Sequence, residues 1–452
     1  MTSFILAIVA ASATSAKGPC AQLKAACEEA GFTPGAAAEG AGLLIDCLQP
    51  LVRGQPQRPE AKKPLPQVSA ELVSQCRAKN PSFGQADVTP DVVKSPGGSG
   101  IAKPAVPGLS DAAKDKVDKL VQDFIADSQT PGVELSIQRS GKTIYERGYG
   151  TINVKDKVAP GPDTRFQIDS LTKVFTAIAV LKLAEEGKLD LDKTMGTYLS
   201  QPTPAWGSIP VRQYLGMVSG IHNDSTTTGT YQQAIDAVSS LKLDFAPGSQ
   251  YEYSDVNYFI LGNLIDAVSP QSKEADPLCR ADPLCRDVAY AEYTKAKILS
   301  PLGMSDTGLI IFKSGDLWPT PYQKGSPVAP RPPEAGFSGG GFVSTMHDLE
   351  KFAIGLDGRK ILSAKSYKEM WTPVVFTTGS MKGQAGPFGL GWDVVVDGKG
   401  NVTRASKNGG GWGWGSQLNY YPPTNESVIV LCNGSGAVGA LAGSVHDAIA
   451  GE

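Results

Sequence analysis

Apolar residues recur at helical spacing after Ser110, with Val117, Leu120, Val121, Phe124 and Ile125 on one face and Ser110 standing where an N-cap is needed. The period then shortens. Val133-Glu134-Leu135-Ser136-Ile137-Gln138 alternates apolar and polar, Ser140-Gly141 supplies a turn, and Thr143-Ile144-Tyr145-Glu146-Arg147 continues as a second strand. The far end of the chain repeats the device. Gln417-Leu418-Asn419-Tyr420-Tyr421, a Pro422-Pro423 turn and Ser427-Val428-Ile429-Val430-Leu431 read as a hairpin, followed by a helix over about 438–449. From Ser170 to about residue 300 the pattern is mostly helical. Strands drawn from both chain ends, with helices between, predict one antiparallel sheet flanked by helices and joined to a mostly helical lobe, an α/β protein of the segregated α+β kind.

Ahead of this region the pattern is different. Residues 85–109 are rich in Pro, Gly, Ser and Val without helical period and read as a linker, which divides a segment 17–84 from a domain 110–452. Residues 1–16 are apolar and then turn small, as in a secretory signal, although a basic start is missing; an apolar N-terminus of a cytosolic protein is the plain alternative. Cys20, Cys27, Cys47 and Cys76 crowd the 17–84 segment, on three short helices predicted near 20–30, 41–52 and 69–79. Such crowding suits an oxidising compartment and a secreted or periplasmic location. Cys20 and Cys27 on one helix stand two turns apart, roughly 10 Å, too far to bridge. That leaves Cys20–Cys47 with Cys27–Cys76, or Cys20–Cys76 with Cys27–Cys47. Without a C-x-x-C or a histidine in the segment, a zinc site is the weaker reading. A small disulfide-linked helical module, with a protein or cell-wall partner as one use, is the stronger.

Composition adds exclusions. With 452 residues the chain has room for more than one core, and a net charge of −3 with mixed signs leaves no nucleic-acid footprint. No later apolar run is long enough to span a bilayer.

The chemistry centres on Ser170-Leu171-Thr172-Lys173, placed between a strand-like Phe166-Gln167-Ile168 and an apolar helix over 174–181. Residues i and i+3 share a helix face, so the Lys173 amine can reach the Ser170 hydroxyl and activate it. Ser239 and Lys242 repeat the spacing without that context and read as chance. Downstream come Tyr253-Ser254-Asp255 and Lys407-Asn408-Gly409-Gly410. In this order the three stretches resemble the Ser-x-x-Lys, Tyr-x-Asn and Lys/His-x-Gly boxes of the serine beta-lactamase-related hydrolases of the class C type. That group includes class C beta-lactamases, DD-carboxypeptidases, D-aminopeptidases and carboxylesterases. Residues 185–192, 214–221 and 339–345 are similar too, and the resemblance runs from about residue 110 to the C-terminus.

The resemblance implies a beta-lactamase/transpeptidase-like fold with a groove between sheet and helical lobe. It makes Ser170 the nucleophile, Lys173 and Tyr253 the proton relay, and Lys407 a cation on the opposite wall. The oxyanion would rest on the backbone N–H groups of Ser170 and Gly410, with Gly409 allowing close approach. The bland readings are an N-cap serine, a snorkelling lysine, a core tyrosine, an exposed strand lysine and loop glycines. Asp255 departs from the pattern: an ionised carboxylate only accepts, where the usual asparagine also donates. It either pairs with Lys173 and favours Tyr253 as base, or recognises a substrate amine. Asn408, where a hydroxyl is common, also weakens carboxylate recognition.

His222, His347 and His446 lie outside the boxes, and no G-x-S-x-G surrounds Ser170, so a Ser-His-Asp triad is not expected. Neither a metal nor a cofactor is expected. Trp412 and Trp414 either line the groove or pack on the sheet. The tandem 275–280 and 281–286 reads as a local duplication whose Cys279 and Cys285 pair, leaving Cys432 a core thiol. Asn223, Asn401 and Asn425 begin N-x-S/T stretches that matter only in a eukaryotic secretory route. The expected activity is hydrolysis of a small-molecule ester, peptide or β-lactam through an acyl-enzyme. A fold that binds penicillin or a partner without turnover is the rival.

Overall fold

A computed structural model describes residues 19–32, 43–48, 50–51, 57, 61–79, 108–155, 157–199, 204–223, 231–269, 288–309, 318–330 and 333–452. The chain separates into two compact units, Met1–Ala102 and Lys103–Glu452. The expected signal over 1–16, nearly all of the expected linker and the Cys279/Cys285 duplication lie outside the described residues.

In the first unit, α1 (Pro19–Glu29) and α2 (Ala70–Lys79) flank a short wide-pitched helical turn, Leu43–Leu48. Leu23, Phe32 and three cysteines form its buried core. Cys27 is bonded to Cys47 across a Cα separation of 6.0 Å, which rejects the first of the two pairings open on sequence grounds and is one bond of the second; the side chain of Cys20 lies outside the described residues. Cys76 is also disulfide-bonded, so these thiols hold no zinc.

The second unit opens with α3 (Asp111–Ser128), whose N-cap Ser110 accepts a hydrogen bond from the Ala113 amide. A hairpin follows, β1 (Gly132–Arg139) and β2 (Lys142–Gly150). Ser140 and Gly141, both at positive φ, turn it with the twist that suits a two-residue loop. The helical lobe comes next: a short β3 (Phe166–Gln167), α4 (Thr172–Glu185), α5 (Asp255–Val268), a kinked α6 (Pro333–Gly340), β4 (Val343–Ser344) and α7 (Met346–Asp357). The chain returns to the sheet as β5 (Asp393–Val396), β6 (Val402–Gly411), β7 (Trp414–Tyr421) and β8 (Glu426–Cys432), and α8 (Val438–Ala448) closes it.

Strand order is β2-β1-β8-β7-β6-β5, antiparallel throughout, so the two chain ends meet at the β1–β8 pair. On one face Val133, Leu135, Ile137, Val428 and Val430 pack under α3 and α8. On the other, Leu418, Tyr420, Ile429 and Leu431 join the core of the helical lobe. Cys432 is a buried free thiol, as expected.

Two features were not readable from the sequence pattern. The strand carrying Lys407 is not at the sheet edge, because β5, which the sequence pattern missed, pairs with residues 402–406. The polar positions of β1 do not face water either: Glu134, Ser136 and Gln138 are buried, and Ser136 and Gln138 hydrogen-bond Glu350 of α7. Burial, then the charges of Glu146 and Glu350, push the Glu134 carboxyl up to about 8.

One ionic junction ties three elements at the chain ends. Glu426, at the start of β8, accepts from Arg139 of β1 and lies beside His446 of α8. Burial alone would raise its carboxyl, but the hydrogen bonds from His446 and Arg139 outweigh this and lower it to about 2. Its contribution is therefore present above the ordinary glutamate range and lost as pH falls toward 2. Glu426→Gln is expected to lower Tm by several degrees at pH 7 and by progressively less as pH approaches 2, measured by circular-dichroism melts.

Candidate active site

The nucleophile candidate sits on a turn held from two sides. After β3, which pairs with β4, residues Asp169–Leu171 make one tight helical turn that runs into α4, so Ser170 precedes the α-helix proper. Asp169 is held at φ 42, a conformation that side chains rarely adopt and that persists only where the surroundings impose it. The imposing contacts are visible: the Ile168 carbonyl accepts from the Ser416 hydroxyl of β7 at 2.7 Å, and the Phe342 amide donates to Thr172 Oγ1 at 3.1 Å. Gly409 of β6 lies against the same carbonyl, where a Cβ would stand 2.0 Å from the Ile168 oxygen. Only a residue without a side chain lets the sheet approach this turn so closely.

Lys173 is wholly buried, at 0 % exposure, as the second residue of α4. Its Nζ donates to Ser170 Oγ at 3.1 Å, to Asp255 Oδ1 at 2.5 Å and to the Gly339 carbonyl at 2.6 Å. These three acceptors match the three donors of an ammonium. Tyr253 Oη lies 2.6 Å from Ser170 Oγ and donates to Asp255 Oδ1 at 3.2 Å. Asp255 is the first residue of α5, where the helix end favours a carboxylate, and its amide donates to Asn223 Oδ1 at 2.9 Å.

Lys407 of β6 lies beside Tyr253. It is 2 % exposed, and its Nζ donates to Asn408 Oδ1 at 3.0 Å and lies 3.6 Å from Asp393 of β5. Burial pushes its amine down to about 8; Asp393 opposes the shift and Lys173 adds to it. The Tyr253 ring has Lys173 Nζ at 5.0 Å and Lys407 Nζ at 5.5 Å from its centre. Burial and then Asp255 nevertheless push the phenol well above its usual range, so Tyr253 is protonated at rest. Pairing of Asp255 with Lys173 is one of the two alternatives drawn from sequence. The pairing is formed, but the same carboxylate also disfavours the phenolate.

Thus Ser170, Lys173, Tyr253 and Asp255 come together, Lys407 stands against Tyr253, exposed Asn408 touches Lys407, and Gly409 touches the turn that carries Ser170. Gly410, one residue on, is solvent-accessible. Sequence reasoning missed three contributors. The Gly339 carbonyl was within a glycine run noted only as a similar stretch, Asn223 was noted only as a glycosylation motif, and Asp393 had no signal. Trp414 is buried against Phe166 and belongs to the core, whereas Trp412 stays 38 % exposed at the β6–β7 turn. The chance pair is what it seemed: the Ser239 hydroxyl is spent on the Asp236 carbonyl.

The beta-lactamase family profile matches residues 117–450, and the chain belongs to that family, a superfamily of serine hydrolases. It is 29% identical over 210 residues to Protein flp of Staphylococcus aureus (strain N315), covering 44% of this chain and 39% of that one. The match to the putative penicillin-binding protein PbpX of Bacillus subtilis (strain 168) is 27% over 282 residues, covering 60% of this chain and 67% of the relative. The chain thus spans about two fifths of the first of these. Among solved structures, the octameric penicillin-binding protein homologue from Pyrococcus abyssi superposes with a TM-score of 0.58 at 26% identity, over 72% of this chain and 74% of that one.

Gly409→Ala tests the close approach. The new methyl must displace the Ile168 carbonyl or the strand, at a cost of about 1–3 kcal/mol in stability. A displaced nucleophile is expected to lower kcat/KM for a model ester by at least about 10²-fold. Thermal melts and steady-state rates, measured together, separate the two effects.

Proposed function

We propose that this chain cleaves an ester or amide through an acyl-enzyme on Ser170. The observation that carries the reading is the Ser170 hydroxyl, within hydrogen-bond reach of both Lys173 and Tyr253 on a turn that leaves it partly open to solvent. The hydrogen bonds run in one direction: Lys173 donates to Ser170, Ser170 to Tyr253, and Tyr253 to Asp255. As Oγ forms its bond to the substrate carbonyl carbon, its proton passes to Tyr253 while the tyrosine's own proton passes to Asp255. The backbone N–H groups of Ser170 and Gly410 hold the oxyanion, and the Lys173 ammonium balances the negative charge. Collapse breaks the bond to the leaving group, which takes a proton back through Tyr253, and water repeats the sequence to release the acid.

Lys407 attracts a substrate carboxylate, which favours peptide or β-lactam acyl donors over neutral esters. Asp255 cannot donate to a substrate carbonyl as an amide would, which favours slow turnover of β-lactams and gives the rival reading, a penicillin-binding protein that acylates without deacylating, its observation. Export belongs to the reading, supported by the N-terminal apolar run and the Cys27–Cys47 bond. No helix among the described residues is long and apolar enough to cross a membrane.

Steady-state hydrolysis of a p-nitrophenyl ester tests the proposal. Ser170→Ala is expected to reduce kcat by at least about 10³-fold, and undiminished turnover contradicts the assignment. Asp255→Asn removes the final proton acceptor and is expected to lower kcat by about 10²-fold; unchanged or faster turnover places the base at Lys173 instead. Lys407 carries its charge below about 8, so KM for a carboxylate-bearing substrate is expected to rise above that pH while KM for a neutral ester stays flat.

A further inference from the structure

Between β2 and α7, on the sheet face described above, lies a group of side chains that the proposed chemistry does not use. Ligand atoms of Glu146, His347 and Glu350 all fall within 4.8 Å of one another. Each arrives there for a structural reason. Glu146 is paired across the hairpin with Ser136, so both point to the same sheet face. His347 and Glu350 are three residues apart on α7 and share a helix face.

Three further observations point to a missing cation. Glu134, two residues before Ser136 on the same strand face, is 1 % exposed, and its Oε2 has no hydrogen-bond partner. That oxygen lies over Gly148, 2.9 Å from where a Cβ would stand, one same-face position along the strand from Glu146. The charges it meets are those of Glu146 and Glu350, both of its own sign. Second, Ser136 Oγ donates to Glu350 Oε1 at 2.5 Å, which fixes that carboxylate. Third, His347 Nδ1 lies 2.9 Å from Asp163 Oδ1, which holds the ring as the Nδ1–H tautomer and leaves the lone pair on Nε2. A carboxylate behind a histidine is the outer-shell arrangement of metal-bound imidazoles.

We propose that Glu146, His347 and Glu350 bind a divalent first-row transition cation, for which Zn²⁺ is the probe, with Asp163 orienting the imidazole and Glu134 completing the negative cradle. One nitrogen and two or three carboxylate oxygens suit such an ion, with bonds of about 2.0–2.2 Å, and binding would draw the ligand atoms in from their 4.8 Å spread. The ion joins β2 to α7. It is a structural site, separate from Ser170, and it departs from the sequence expectation of no metal.

The test uses the full chain stripped with chelator. Titration with ZnCl₂ by isothermal calorimetry, in a buffer that does not bind zinc, is expected to show one site of micromolar affinity or tighter, and a raised Tm. His347→Ala and Glu146→Gln, at partly exposed positions that leave folding intact by circular dichroism, are each expected to weaken it at least tenfold. Asp163→Ala is expected to cost about 10-fold through the imidazole. His222→Ala, at a histidine elsewhere, is expected to leave affinity unchanged. Binding weaker than millimolar, or micromolar binding that survives His347→Ala and Glu146→Gln together, overturns the proposal.

Discussion

The buried ammonium of Lys173 is the constraint on which the rest of the site depends. A lysine taken wholly out of water costs several kcal/mol unless its charge and its donors are all met. Here they are met by three separate segments: the first residue of α5, the last turn of α6 and the nucleophile turn itself. Losing Asp255 would strand the charge in the core, and losing either neutral acceptor would leave a buried donor unmet. The same bonds that make Lys173 tolerable therefore hold Ser170, Asp255 and Tyr253 at fixed separations. Site geometry and core integrity are one requirement in this lobe.

The sheet contributes by approach rather than by charge. Gly409 allows β6 to lie against Ile168, and the same strand carries Lys407 and Gly410. The end of β6 beyond Ser406 is free of β5, so the strand presents this end to the nucleophile turn although it lies inside the sheet. Two lysines then face the Tyr253 ring, while Asp255 and Asp393 balance them. The two carboxylates thus offset the two ammonium charges around the ring.

Much of this was legible in the residues. Helical period marked α3, an apolar run marked α4, alternation marked β1, and the spacing of Ser170 and Lys173 carried their contact because a helix enforces it. The rest depended on tertiary partners. Residues 253–255 and 407–410 could be joined to Ser170 only by resemblance, since no local rule brings segments so distant in the chain together. The Gly339 carbonyl was illegible because a backbone oxygen leaves no mark in a sequence. Alternation in β1 was read correctly as a strand, but its polar face proved to be buried. That outcome follows from Glu350 on a helix some two hundred residues later, which no local pattern announces.

Intact-protein mass spectrometry with time after mixing is the most direct test of the central claim, that Ser170 becomes acylated. With a p-nitrophenyl ester, the account expects a transient adduct of the acyl mass that localises to the Ser170 peptide and decays with turnover. No adduct with the ester, with a D-amino-acid peptide or with a penicillin, under conditions where Ser170→Ala behaves identically, would contradict it.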